Sequence, residues 1–252
     1  RHRRQLSVAD SRPRANIMSE FWPALSASLA LLSQGDDYLR GIIILSLQVS
    51  LTAVAIATVI GLPIGAVTAL FRFPGRRVLV VLLNALMGLP PVVVGLVVYL
   101  LLSRAGPFGA LGLLFTPTAM VIAQFVLVLP IIAALSRQVM EGMWLEYREQ
   151  LQSLGVPPLG QLSVLLWDGR FALLTAVLAG FGRATAEVGA VMIVGGNIDH
   201  VTRVMTTTIA LEASKGDLAK ALGLGVVLLL VSLVVNLLAY LLRELSRLRF
   251  AD

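Results

Sequence analysis

Apolar residues fall into five long runs, at about 41–70, 78–102, 113–136, 171–195 and 221–242, divided by short polar or basic stretches. A membrane-crossing helix needs about 20 mostly apolar residues. The pattern therefore predicts an all-α integral membrane protein with about five transmembrane helices. In the first run small residues recur at every fourth position: Ala53, Ala57, Gly61, Gly65 and Ala69. Such a face lets a neighbouring helix approach backbone to backbone, and packing is the favoured reading over contact with lipid or substrate.

The runs are not uniform. The second contains "GLPPVVVG", Gly88 to Gly95, where Pro90 and Pro91 remove two adjacent amide donors. Broken backbone at membrane depth is tolerated only where it packs in protein or lines a wet cavity. Pro63 and Pro130 interrupt the first and third runs more gently, and Pro63 reads as an ordinary kink. Interruptions in several helices suit a protein that passes solutes, because freed backbone groups can meet the cargo.

Polar segments complete the organisation. Residues 1–17 are basic and aperiodic and read as a non-native or disordered extension, with the n-region of a signal peptide as the rival. Residues 18–40 read as an N-terminal interfacial helix, since "FWPALSASLALLSQGDD" is short and ends in acids. A longer insert at about 137–170 holds a helical stretch, Met140 to Leu154, stopped by Gly155, Pro157 and Pro158 and followed by a second amphipathic piece.

Arginines then orient the chain. Arg72, Arg76 and Arg77 lie between the first two runs, Arg137, Arg148 and Arg170 in the insert, and Arg243, Arg247 and Arg249 near the end. With five spans these three groups share one side, which the positive-inside rule makes cytoplasmic. The N-terminus is then outside, the C-terminus and the tail 246–252 inside.

Composition sharpens the class. Of 252 residues 58% are hydrophobic and 13% charged, with a mean hydropathy of +0.89; soluble domains carry about 25% charged residues. The net charge of +6 sits at the ends of apolar runs, so it reflects membrane topology and implies no nucleic-acid partner. With 0 cysteines and 2 distant histidines, His2 and His200, no disulfide, thiolate or histidine metal centre is expected.

One segment stands apart: "GFGRATAEVGAVMIVGGNID", Gly180 to Asp199, in the fourth run. Arg183 and Glu187 are four residues apart and can meet on one helix face. Each charge alone at membrane depth costs about 2.5–3.5 kcal/mol on insertion scales. A mutual pair that locks packing is the favoured reading; a gate whose arginine briefly meets an anion is the alternative. Gly195, Gly196 and Asn197 then interrupt the helix and offer bare amides. His200 reads as solvated or as a dimer contact, and Asp199, Glu212 and Asp217 as surface groups.

Two motifs carry a resemblance. "EQLQSLG", Glu149 to Gly155, is similar to the start of the cytoplasmic signature loop of ATP-binding-cassette (ABC) importer permeases, Glu-Ala-Ala, three residues, Gly. Gln150 and Leu151 stand at the two alanines, and "LLWDGRFALL" stands where a later proline is usual. "LPPVVVGL" and "GRATAEVGAVMIVGGNI" resemble segments of the sulfate, molybdate and tungstate permeases. "TRVMTTTIALEASKGD", Thr202 to Asp217, looks most like the tungstate branch.

The resemblance implies a type I ABC importer permease fold over 41–245, working as a homodimer in the inner (plasma) membrane. It implies two ATP-binding subunits that hold ATP and Mg, an extracytoplasmic anion-binding protein, and surrounding membrane lipid. The coupling helix falls at about 149–166, with Glu149, Leu154, Gly155, Val156 and Leu159 as contacts. The path or gate falls to Pro90, Pro91, Arg183, Glu187, Gly195, Gly196, Asn197, Thr206 and Thr207, with Arg203 and Thr208 as further donors.

The residues agree with a transport subunit that is not itself catalytic. The chain has no GxxxxGK[ST] sequence to cradle nucleotide phosphates. A compact dianion needs amide, hydroxyl or guanidinium donors away from carboxylates. Secondary carriers usually show two repeated halves, and none is visible. A membrane enzyme needs a clustered Ser/Lys, Asp/Asp or His/Glu set, and those residue types are scattered here.

Overall fold

The computed structural model describes residues 37–249, with side chains described through Leu241. The expected extension 1–17, most of the expected interfacial helix 18–40 and the last residues of the tail lie outside the described residues. Those described fold into helices joined by short turns, with no strand among them.

The first run forms helix α1, Asp37–Leu70, 34 residues long, or about 50 Å at 1.5 Å per residue. Its four-residue repeat of small side chains is buried throughout and faces α4, Pro117–Ser153. The approach is tight. A Cβ placed on Gly65 falls 2.6 Å from the Ala133 carbonyl oxygen and 2.7 Å from Ser136 Cβ. Ser136 donates its hydroxyl to the Leu62 carbonyl at 3.2 Å, so this seam has a polar stitch as well as close packing.

The second run is not one straight span. It divides into α2, Arg76–Leu86, and α3, Pro91–Leu102, bent by 106°. Proline explains the division: Pro90 and Pro91 donate no amide hydrogen bonds, and Pro91 opens α3 at a position where none is needed. Arg76 fixes the other end of α2. Its Nε donates to the Thr68 carbonyl at 2.6 Å, and its Nη2 reaches Glu141 at 3.4 Å. Glu141 also pairs with Arg137.

The third run extends well past its expected end. Thr116 caps α4, its hydroxyl accepting the Ala119 amide, and Pro117 stands at the first turn. The helix then continues for 37 residues to Ser153. The helical stretch expected as a separate piece of the insert is thus the far end of α4. Nothing between Pro130 and Gly155 breaks it, because Gly142 alone costs too little. Gly155, at φ 66°, makes the turn, and α5, Pro158–Asp168, follows.

The fourth run also divides. α6, Arg170–Thr185, meets α5 at a 71° bend, and a short α7, Gly189–Gly195, follows three residues later. Beyond an outer turn, α8, Met205–Lys215, packs inward, and α9, Leu218–Arg249, closes the bundle. Glu212, expected at the surface, is buried at 6% exposure and held by Lys215 at 3.0 Å and Lys220 at 3.7 Å. Among the described residues three helices (α1, α4 and α9) are long and apolar enough to cross a membrane, and up to five spans result if α2 with α3 and α5 with α6 each count as one.

Candidate functional site

The break between α6 and α7 organises the middle of the bundle. The Arg183 Nη1 donates to Glu187 Oε2 at 2.5 Å. The two residues do not share one continuous helix, as the sequence pattern suggested, because α6 ends at Thr185 and Glu187 lies in the gap. There its other oxygen, Oε1, accepts the Ala190 amide at 2.9 Å. Glu187 therefore ties the end of α6 to the first turn of α7, satisfying an amide that has no partner within its own helix. The carboxylate is 2% exposed and the arginine 29%. The acid is sealed in protein while part of the arginine side chain remains accessible.

α3 and α8 brace this junction. A Cβ on Gly95 falls 2.7 Å from Ala190 Cα, so the stretch after Pro90 and Pro91 lies directly on α7. Thr206 donates to the Glu187 carbonyl at 2.9 Å. Thr207 and Thr208 donate to the Val204 carbonyl at 3.0 and 2.7 Å, so all three hydroxyl protons are committed. The α8 amide at Met205 donates to Ser46 Oγ of α1 at 2.8 Å.

The glycine turn after α7 is more tightly organised than its composition suggests. The Gly196 amide donates to the Met192 carbonyl, and the Ile198 amide to Thr202 Oγ1. Thr202 in turn donates to the Gly195 carbonyl at 2.5 Å. Gly196 at φ 71° and Asn197 at φ 50° adopt the left-handed conformation that reverses the chain. The Gly196 and Ile198 amides thus serve the turn itself.

Beside the turn a polar cluster joins α1 to the loop that leads from α7 to α8. Tyr38 donates to Asp199 at 3.0 Å, and Arg203 donates to Tyr38 at 2.9 Å and pairs with Asp199 at 2.9 Å. Desolvation pushes the Asp199 carboxyl up, but Tyr38, Arg203 and His200 outweigh it and hold the group below its ordinary value. The Tyr38 contact raises Arg203 further. Sequence reading missed Tyr38 and also Gln124, which donates to the Ala184 carbonyl at 3.1 Å. The signal for Gln124 was present, as an isolated amide inside "AMVIAQFVLVLP".

The coupling candidates form a separate group at the far end of α4. Glu149 is exposed and lies 3.9 Å from Arg148. Leu154 and Leu159 are 77% and 76% exposed, on either side of the Gly155–Val156 turn. Beneath them Leu151, Leu165, Met140 and Leu173 form a buried cluster that fixes α5 against α4 and α6. The result is a firm knob with an apolar tip.

Comparison with known proteins accounts for this architecture. Residues 61–251 match the family described as binding-protein-dependent transport system inner membrane component. The chain is 42% identical to the tungstate uptake system permease protein TupB of Peptoclostridium acidaminophilum, over 86% of this chain and 96% of that protein. It is 40% identical to a probable anion ABC transporter permease protein of Haloferax volcanii, over 80% and 89%. A sulfate transport system permease protein, CysW of Synechocystis, is 30% identical over 84% and 79%. A family match over most of the chain and these relatives along nearly its whole helical bundle lead to one conclusion: this chain belongs to the inner-membrane permease components of binding-protein-dependent ABC transport systems.

Proposed function

We infer that this chain is the transmembrane subunit of an ATP-driven importer of tungstate. The observation that carries the reading is the 42% identity to a tungstate uptake permease over 86% of the chain, against 30% to a sulfate permease. Molybdate and sulfate, dianions of similar shape, are the alternative cargoes. Two copies enclose the path about a two-fold axis. The basic loops and the α4–α5 knob face the cytoplasm, and an extracytoplasmic protein delivers the anion. Two separate ATP-binding subunits, holding ATP and Mg, grip the knob through Glu149, Leu154, Gly155, Val156 and Leu159.

The break at Arg183 and Glu187 serves as the gate element, together with Pro90, Pro91, the Gly195–Asn197 turn, Thr206 and Thr207. The physical support is charge compensation. A lone arginine in the path would trap a dianion, whereas Arg183 has its charge balanced by Glu187 at 2.5 Å. One of its five N–H donors is committed there. The passing anion meets a weak, directional donor and is released.

The test is ATP hydrolysis by the reconstituted importer with its binding protein, comparing tungstate, molybdate and sulfate. Stimulation by tungstate at the lowest concentration supports the reading. Preference for sulfate overturns the cargo assignment, and hydrolysis by this chain alone overturns the division of labour.

A further inference from the structure

A second polar site lies at the end of the bundle where α1, α4 and α9 begin, away from the break at Arg183 and Glu187. The arginines and lysines described there are Arg40, Arg104, Arg203, Lys215 and Lys220. All but one have an acidic partner: Arg40 pairs with Asp37, Arg203 with Asp199, and both lysines with Glu212. Arg104, in the loop between α3 and α4, is exposed and has no such partner among the described residues.

Arg104 lines a cavity of about 510 Å³ together with Tyr99, Ser103, Leu114 and Phe115. Small-ligand pockets usually measure about 300–1,000 Å³, so a tetrahedral anion fits with part of its water shell. No aspartate or glutamate lines the space. Ser103 has given its proton to the Leu100 carbonyl and can only accept. The Tyr99 hydroxyl has no hydrogen-bond partner among the described residues and is not sealed from solvent, so its proton is available.

The loop is closely packed around these groups. A Cβ on Gly109 would overlap the Ser103 carbonyl oxygen and fall 2.9 Å from Arg104 Cα, so the backbone beside Arg104 is fixed while its side chain is not. Phe115 forms another wall. It adopts φ 62°, a left-handed conformation that a bulky residue keeps only where its neighbours over-determine it. Its amide donates to the Val194 carbonyl at 3.0 Å, and its ring meets Tyr99 edge to face. A Cβ on Gly196 would fall 2.8 Å from the same ring. One aromatic side chain therefore touches both the cavity and the Gly195–Asn197 turn.

We propose that this cavity binds a tetrahedral oxyanion. Arg104 supplies the charge and a planar fork of donors that matches two anion oxygens. The Tyr99 hydroxyl adds one directional donor, and with no carboxylate in the lining the positive field is uncompensated. Because the guanidinium is exposed, the attraction is screened by salt and the anion exchanges readily. An anion held here is one side chain, Phe115, away from the glycine turn. The site holds whichever anion is carried; that its occupant is cargo bound for the gate rests on the transport role proposed above. The phosphate of a lipid headgroup has the same chemistry, and the test separates the two sources.

The full chain, purified in lipid-free maltoside at low salt, is dialysed to equilibrium against tungstate and, separately, sulfate. Arg104→Gln should weaken saturable binding at least about tenfold, the equivalent of one charge-assisted hydrogen bond. Tyr99→Phe should weaken it by a smaller factor, and Arg72→Gln, in the basic loop after α1, should leave it unchanged. An unaltered melting temperature shows that the loss is local, as expected for a side chain with no internal partner. In a second arm phosphatidylglycerol is added and its retention is read by native mass spectrometry. Binding of tungstate or sulfate that depends on Arg104 assigns a free anion, and retention of lipid alone that depends on Arg104 assigns a lipid phosphate. Dependence on Arg104 in neither arm overturns the site. Sulfate bound in place of tungstate, with the same dependence, counts against the tungstate cargo and supports the site.

Discussion

The carboxylate of Glu187 and the amide of Ala190 meet at 2.9 Å across the gap between two helices. The charge pair with Arg183 is therefore one half of a two-sided anchor. Removing the acid loses both halves, while removing the arginine loses one and strands a buried charge.

Glu187→Gln should be milder than Glu187→Ala in thermal unfolding, because its amide oxygen can still accept from Ala190. Hydrogen bonds to charged groups contribute about 1.5–3 kcal/mol, and Arg183→Ala should cost a similar amount. In the cycle of Arg183→Ala with Glu187→Ala the two effects should be clearly non-additive. Full additivity would disprove the direct pair.

The seam between α1 and α4 predicts opposite outcomes for two glycines. Gly65→Ala places a methyl 2.6 Å from the Ala133 carbonyl oxygen and should destabilise by about 1–3 kcal/mol, the usual cost of overpacking. Gly142→Ala, helical and with open space around it, should stabilise by about 0.5–1 kcal/mol. Melting temperatures of the purified variants check both signs.

Gly155 turns the chain at φ 66° with nothing within 4 Å of its missing side chain. A bulky replacement such as Gly155→Trp meets no atom within 4 Å and carries only the strain of a left-handed side chain, about 1–2 kcal/mol, so membrane insertion should be preserved with at most a modest loss of yield. The added bulk stands in the turn next to the exposed Leu154, and ATP-driven uptake in cells should be lost. Normal uptake would sink the coupling assignment.

The outer cluster predicts an acid-side dependence. The carboxyl of Asp199 is held below its ordinary value of 3.8. A group depressed in the folded state stabilises it above the unfolded value, and that contribution is lost as pH falls through the folded value. Asp199→Asn should therefore lower the melting temperature at neutral pH, and the difference from the native chain should shrink as pH drops below about 4. A difference independent of pH would contradict the ionic role.

The sequence exposed the fold where periodicity was long and clean. The four-residue repeat of α1 named its buried face, and the paired prolines marked where the second run divides. It concealed what depends on distant partners. The break after Thr185 contains no proline or glycine in the gap itself, only Ala186, Glu187 and Val188. It exists because Glu187 and Thr206 hold it from either side. Glu212 looked solvent-facing because two lysines close the space around it only in the fold. Likewise, the extent of α4 was missed because polarity along the chain marks the edge of the bilayer, and a helix need not stop there.

That last feature has a mechanical meaning. About 20 residues suffice to cross the hydrocarbon core, so α4, with 37, is longer than a span needs by some 17 residues, or about 25 Å. An unbroken rod of that length is a lever. With its fulcrum at the bilayer edge, a tilt of about 10° sweeps the far tip through about 4 Å, comparable to most of a helical turn. The same helix carries Gln124 near one end and ends at the Leu154 knob, so on the proposed coupling role a displacement of the tip would be passed toward the segment that holds Ala184.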